Sequence, residues 1–301
     1  MKNKKHYYKI YGLTLASDYE FPQFVKLEKE PIETDIEIIY GGIPDFIEPQ
    51  IQQGYYKGIM KGEMWFHNSA GLFYIHNKKT INFIEYKNGT VDDAAVFLPG
   101  LCLSILLWYR KMLMIHGACL RIKDKTIIVA GDSGAGKSTL TTELIKRGAL
   151  LMADDVTGIV LENGEFISYP AFPAQKLCED QVEKNGLDTT NLRQVRYDLN
   201  KFEVPRENVF YNEPAKVDAL FRVEVQDVTE LTKKEITGAD KLKTVIDCIF
   251  INWLFNEAFR LEPDDMMRCI GLSNQIAIYK ICRNKKQNTL NEILEYIESN
   301  V

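Results

Sequence analysis

The sequence predicts an α/β protein in which a phosphate-binding core follows a small β-rich amino-terminal module. A continuous apolar run, Thr126-Ile127-Ile128-Val129-Ala130, leads straight into Gly131-Asp132-Ser133-Gly134-Ala135-Gly136-Lys137-Ser138 and then into an amphipathic helical pattern. A second apolar run, Ala149 to Ala153, follows that helix and closes on Asp154-Asp155. Before residue 90 the pattern differs, because short aromatic and β-branched runs are punctuated by turn residues.

Taken in order, Ile36 to Tyr40, Met64 to Phe66, Leu72 to Ile75 and Ile81 to Ile84 read as short strands, with turns at Gly41-Gly42, Gly62, Asn68 and Asn77. They make residues 1–90 a small antiparallel module suited to substrate recognition or oligomerisation. Residues 91–301 form the phosphate-binding domain. Ala94 to Tyr109 is apolar, but it is shorter than a membrane span and Pro99-Gly100 interrupts it. Leu101 to Met114 therefore reads as a buried helix beneath the phosphate site. Thr126 to Ala130 reads as a strand covered on both faces. The helix Ser138 to Arg147 carries an apolar stripe of Leu140, Leu144 and Ile145, and Gly148 ends it. Ala149 to Ala153 is expected to lie beside the first strand. Further on, Val217 to Val225 and Ile276 to Cys282 read as strands and Lys241 to Phe259 as a helix. Leu290 to Ile297 is an amphipathic helix with Leu290, Ile293, Leu294 and Ile297 on one face. Between Tyr169 and Tyr211 the periodicity fails and the segment reads as loop-rich, either a functional loop or a disordered one.

Composition narrows the partners. The chain has 301 residues and a formal net charge of -5, so no global basic field invites nucleic acid. Cys102, Cys119, Cys178, Cys248, Cys269 and Cys282 show no C-x-x-C spacing, and the four histidines are scattered, which argues against a zinc site. No apolar stretch follows Met1-Lys2-Asn3-Lys4-Lys5-His6, so a cytoplasmic protein with reduced thiols is expected, without a membrane partner. A homo-oligomer stays open.

The chemistry concentrates on the glycine loop. Gly131, Gly134 and Gly136 let successive backbone N–H groups turn inward on phosphate oxygens, and the helix beginning near Lys137 adds the positive end of its dipole. Residues 131–138, with Thr139 behind them, are the expected nucleotide contacts: Asp132, Ser133 and Ala135 through the loop, and Lys137 as a cation for the β- and γ-phosphates. The Ser138 hydroxyl is the expected Mg²⁺ ligand. Asp154 and Asp155 offer hard oxygen ligands for the same metal or a base for an attacking hydroxyl. Adjacent residues of a strand face opposite ways, so the two aspartates would divide these roles. A capping role is the plainer alternative. A lone histidine such as His116 is more often structural. Among the basic residues of the irregular segment, Lys176, Arg193 and Arg196 are candidates for substrate contact, against a solvated loop.

His116-Gly117-Ala118, Gly131 to Ser138, Arg147-Gly148 and Leu151-Met152-Ala153-Asp154-Asp155, in this order, resemble the catalytic core of bacterial HPr kinase/phosphorylase. The resemblance implies a P-loop kinase core of the HPr kinase and phosphoenolpyruvate carboxykinase type. It also implies that His116, Lys137, Ser138, Asp154 and Asp155 form the catalytic constellation. The second, glycine-rich signature of those enzymes is not recognisable in Tyr169 to Gly186, and Thr139 stands where they carry an acidic residue. The chain is similar overall to the divergent HPr kinase-like group found with ribosomal peptide natural products, which opens on a Tyr-x-x-x-Gly-Leu stretch, here Tyr8 to Leu13. That group includes lasso-peptide kinases acting on a serine of a precursor peptide. The resemblance implies a Mg²⁺-dependent kinase using ATP, with GTP left open, on a serine hydroxyl of a peptide or small protein. The competing readings are an HPr(Ser) kinase/phosphorylase-like regulator and an ATP-binding switch that transfers nothing. A small-molecule kinase is a fourth.

Overall fold

The computed structural model describes residues 4–86, 94, 96–196, 200–254 and 261–301. The amino-terminal strands are β1 (His6–Ile10), β2 (Leu13–Ser17), β3 (Val25–Lys26), β4 (Ile36–Tyr40), β5 (Lys57–Met60), β6 (Glu63–His67), β7 (Gly71–His76) and β8 (Thr80–Glu85). They form one sheet in the order β3-β1-β2-β4-β8-β7-β6-β5. The expected antiparallel module is in fact mixed, because β4 runs parallel to both β2 and β8. The hairpin signals of β6 to β8 are local and show in the sequence. The parallel pairs join segments distant along the chain and leave no turn signature.

The larger sheet contains β9 (Leu113–Ile122), β10 (Lys125–Gly131), β11 (Leu150–Ala153), β12 (Val156–Glu162), β13 (Glu165–Tyr169), β17 (Ala215–Lys216), β18 (Ala219–Val225), β19 (Thr232–Glu235) and β20 (Ala277–Arg283). Its order is β17-β13-β12-β9-β10-β18-β20-β19, with β11 paired to β9. Strand β10 is covered on both faces, as its unbroken apolar run predicts. Ile127 and Val129 join a cluster with the helices Lys137–Lys146 and Leu290–Ser299, while Ile128 and Ala130 join the main core. The expected adjacency of the two apolar runs does not hold, because β9 lies between β10 and β11.

Strand β9 also corrects the helix expected over Leu101 to Met114. A π-helical turn, Leu98–Cys102, runs into the helix Leu103–Tyr109. Lys111 then takes a left-handed φ of 72° and the chain reverses into β9. The helix packs against β7, β8 and β9. Its carboxy-terminal end is tied to the amino-terminal sheet, where Tyr109 Oη donates to the Glu63 carbonyl and Arg110 to the carbonyls of Asp35 and Lys78. One buried cluster accordingly takes side chains from both sides of residue 90, including Tyr8, Ile36 and Phe73 with Leu106, Ile115 and Met152.

Among its described residues, the segment expected to be irregular carries regular structure. Strands β14 (Ala174–Cys178), β15 (Arg193–Arg196) and β16 (Lys201–Pro205) make a small antiparallel sheet in the order β14-β16-β15, beside the helix Glu179–Lys184. Polar residues alternate with Leu177, Phe202 and Val204, which close its own small core with Val182. Near the carboxy terminus the expected helix from Lys241 spans Ala239–Asp247, followed by a 3₁₀ turn at Asn252–Leu254; the remainder to Phe259 lies outside the described residues. The helix Pro263–Gln275 opens with a reciprocal Glu262–Asp265 capping box, an element absent from the sequence-based expectations. Among the described residues no helix is long and apolar enough to cross a membrane.

Candidate active site

Strand β10 delivers the glycine loop at the carboxy-terminal end of the larger sheet. Gly131 takes φ 147° and Gly136 φ 100°, and a Cβ on Gly131 would sit 2.2 Å from the Val223 carbonyl of neighbouring β18. The loop must therefore begin on a glycine. The helix Lys137–Lys146 follows with Gly136 at its N-cap and no side chain capping its first turn. Its leading N–H groups point into the loop, which makes an anion cradle. Lys137 Nζ lies against the loop, 2.6 Å from the Gly131 carbonyl and 3.0 Å from that of Asp132.

His116, on β9, comes alongside. Its backbone N–H donates to the Cys248 carbonyl at 2.7 Å and its ring packs on Phe250. Burial, followed by the charge of Lys137, lowers its pKa, and Asp155 only partly opposes this, so the imidazole is neutral near pH 7. Its Nδ1 is buried and has no hydrogen-bond partner among the described residues, with Asp155 Oδ1 at 3.8 Å.

Asp154 and Asp155 do not extend β11. They occupy the bend between β11 and β12, where Asp155 takes a left-handed φ of 65°. The bend, rather than strand alternation, separates the two carboxylates. Lys176 on β14 engages both: its backbone N–H donates to Asp154 Oδ2 at 2.9 Å and its Nζ to Asp155 Oδ2 at 3.0 Å. The electrostatics then diverge. Burial first, and the charge of Asp155 second, push Asp154 up to about 6. For Asp155 burial also acts upward, but the charge and hydrogen bond of Lys176, with the charge of Lys201, outweigh it and hold the carboxyl far below the ordinary range. Asp154 thus exchanges a proton near neutral pH while Asp155 stays ionised.

Two further side chains join the site that sequence reasoning did not single out. Gln175 is fully buried and accepts from Arg206 Nε and Nη2 at 3.0 and 2.8 Å. It also reaches the Ser138 carbonyl at the start of the loop helix, at 3.4 Å. Lys201, opening β16, adds positive field at His116, Lys137, Asp154 and Asp155. So short a sheet shows no sustained period that would mark Gln175, and Lys201 shows in the sequence only as one of the basic residues of the segment. Of the three candidate substrate contacts, Lys176 enters the site. Arg193 instead turns to the amino-terminal module, where it contacts Tyr19 Oη at 3.2 Å and Gln23 Oε1 at 3.4 Å. The backbone of Arg196 lies on β15 and its side chain is outside the described residues.

Among the described residues no three His, Cys, Asp or Glu side chains cluster as a metal cage, so a cation here would share its ligands with the bound phosphates. Oδ1 of Asp154 makes no hydrogen bond among the described residues, and the Ser138 hydroxyl adds a further oxygen. The arrangement offers a phosphate cradle at the loop and a carboxylate that can take a proton beside it.

Residues 109–209, which contain His116, the glycine loop, both aspartates, Gln175, Lys176, Lys201 and Arg206, match the family model of the HPr Serine kinase C-terminal domain. The HPr kinase/phosphorylases of two Treponema pallidum strains, one of them Nichols, are each 35% identical over 87 residues. The alignment covers 29% of this chain and 27% of the relatives, so it spans about a quarter of their length. A solved HPr(Ser) kinase/phosphatase from Coxiella burnetii is 14% identical, with a TM-score of 0.32, over 62% of this chain and 95% of that one. The chain is an α/β protein with a β-rich amino-terminal module, and its residues 109–209 are similar to the HPr kinase C-terminal domain.

Proposed function

We propose, for a chain whose residues 109–209 are related to the HPr kinase C-terminal domain, that it is an ATP- and Mg²⁺-dependent kinase acting on a serine hydroxyl of a peptide or small protein. The observation that carries this reading is the convergence of His116, Lys137, Asp154, Asp155 and Lys176, from separate elements, beside the glycine loop.

The loop N–H groups of residues 131–138 and Lys137 hold the triphosphate, with Thr139 on the following turn. Ser138 and a carboxylate of the pair would hold Mg²⁺, which would supply charge neutralisation to the triphosphate. An aspartate takes the proton of the acceptor hydroxyl as its oxygen forms a bond to the γ-phosphorus. The bond to the β-phosphate oxygen breaks and ADP leaves. Because such transition states are loose, positioning and charge stabilisation account for most of the rate. Lys176 keeps one aspartate ionised throughout, and Lys201 adds positive potential where phosphoryl charge spreads. His116 stands beside the pair, 3.8 Å from Asp155 Oδ1, with its Nδ1 open to a ligand. A ribosomally made precursor peptide of the lasso type is the acceptor suggested by the sequence resemblance.

Incubation of the full chain with ATP, Mg²⁺ and serine-containing peptides, read by mass spectrometry, tests the proposal. A peptide mass gain of one phosphate that requires Mg²⁺ is expected. ATP consumption with no phosphopeptide, across acceptors and metals, would leave the ATPase switch. A kinase/phosphorylase working on a small protein is the second reading, favoured by the names of the curated relatives. Release of phosphate from a phosphoseryl protein, driven by inorganic phosphate, distinguishes it.

A further inference from the structure

On the side of the glycine loop that faces the carboxy-terminal helix Leu290–Ser299 lies a cavity of about 210 Å³. Ala135, Gly136 and Leu140 form one wall, and Arg283, Thr289 and Leu290 the other. Resting on the nucleotide reading above, we propose that this cavity takes the nucleoside part of the triphosphate, base and ribose, with Arg283 and Thr289 as its polar contacts.

Thr289 occupies the N-cap of the last helix, a position where a threonine hydroxyl ordinarily accepts from the first-turn N–H groups. Here it makes no such bond. Its Oγ1 is buried and has no partner among the described residues, on a side chain only 6% exposed that lines the cavity. A buried hydroxyl left unpaired costs free energy, and a ligand group that pairs with it recovers that cost. Arg283, at the end of β20, is held in place because Nη1 donates to the Ala135 carbonyl at 3.1 Å. A guanidinium fixed in this way offers a flat cationic face on which a nucleobase stacks. Leu140 and Leu290 supply apolar walls.

Size and position agree. Pockets that enclose a whole drug-sized ligand run to roughly 300–1,000 Å³, so this cavity fits a part of a ligand whose remainder lies outside. Ala135 and Gly136 belong both to its wall and to the phosphate loop, so a base seated here leaves its phosphates on the loop. None of His116, Asp154 and Asp155 lines the cavity, which leaves their side of the loop to the acceptor.

The test compares MgATP with magnesium tripolyphosphate, which has the phosphates and no nucleoside, by calorimetric titration of the full chain. The wild type is expected to bind ATP at least about tenfold more tightly, the scale of several contacts such as those above. Thr289→Val should narrow that preference by roughly 3- to 10-fold, and Leu290→Trp, which fills the cavity, should abolish it. Both variants should hold tripolyphosphate as the wild type does, which also reports an intact fold. Equal wild-type affinities, an undiminished ATP preference in both variants, or parallel loss of both ligands in both variants would overturn the inference while leaving the phosphate loop standing. If the wild type binds neither ligand, the nucleotide reading falls and takes this inference with it.

Discussion

Replacing Asp154 with Asn should make the protein more stable near neutral pH while stopping phosphoryl transfer. Asp154 is raised from 3.8 to about 6, by burial and then by the charge on Asp155. A shift of about two units at 1.36 kcal/mol per unit puts the cost of ionisation on the order of 3 kcal/mol. Partial solvent access lowers this to roughly 1–3 kcal/mol. The folded state binds this proton more tightly than the unfolded chain does. The associated stability is therefore complete below about pH 4 and lost as pH rises through about 6. Asn cannot ionise, yet its side-chain carbonyl still accepts the Lys176 N–H. Urea unfolding of both proteins between about pH 4 and pH 8 should give curves that coincide at the acid end and diverge through pH 6, with the variant ahead. A stability difference that does not change with pH, or a less stable variant at neutral pH, would refute the electrostatic account.

Three other substitutions address separate parts of the site. Lys137→Ala should lower kcat/KM for transfer by at least about 100-fold with little change in melting temperature, and a loss under tenfold would remove Lys137 from the phosphate site. Gly131→Ala drives a Cβ to 2.2 Å from the Val223 carbonyl at φ 147°. It should cost at least about 2 kcal/mol in urea unfolding, whereas a cost near zero would mean that the loop can re-form without its leading glycine. Arg206→Ala strips two donors from fully buried Gln175 and should destabilise by about 1–3 kcal/mol. Adding Gln175→Leu should recover part of that loss, and no recovery would show that the pairing was not the source.

The glycine loop was legible in the sequence because a phosphate cradle needs contiguous residues with unusual backbone freedom, and contiguity is what a sequence displays. The strand before it and the helix after it were legible for the same local reason, through the apolar run of Thr126 to Ala130 and the stripe of Leu140, Leu144 and Ile145. Strand β9 was hidden because Leu113-Met114-Ile115 continues the apolar tract of the preceding helix. Only the left-handed turn at Lys111, a residue with no turn preference, separates the two. The position of Asp154 and Asp155 depended on which strands are neighbours, and β9 intervenes through pairing between distant segments. Lys176 was visible as a basic residue but not as the partner of both aspartates, because β14 meets the bend only through the tertiary arrangement. Gln175 and Arg206 were obscured by the mixed polarity of a three-stranded sheet too small to show a sustained period.

Lys176 addresses Asp154 with its main chain and Asp155 with its side chain. Mutagenesis can edit the second contact and cannot reach the first. Exchanging Lys176 for Met deletes the counter-charge of one carboxylate and leaves the amide bond to its neighbour in place. The two aspartates, adjacent in the chain and served by a single residue, are therefore genetically separable.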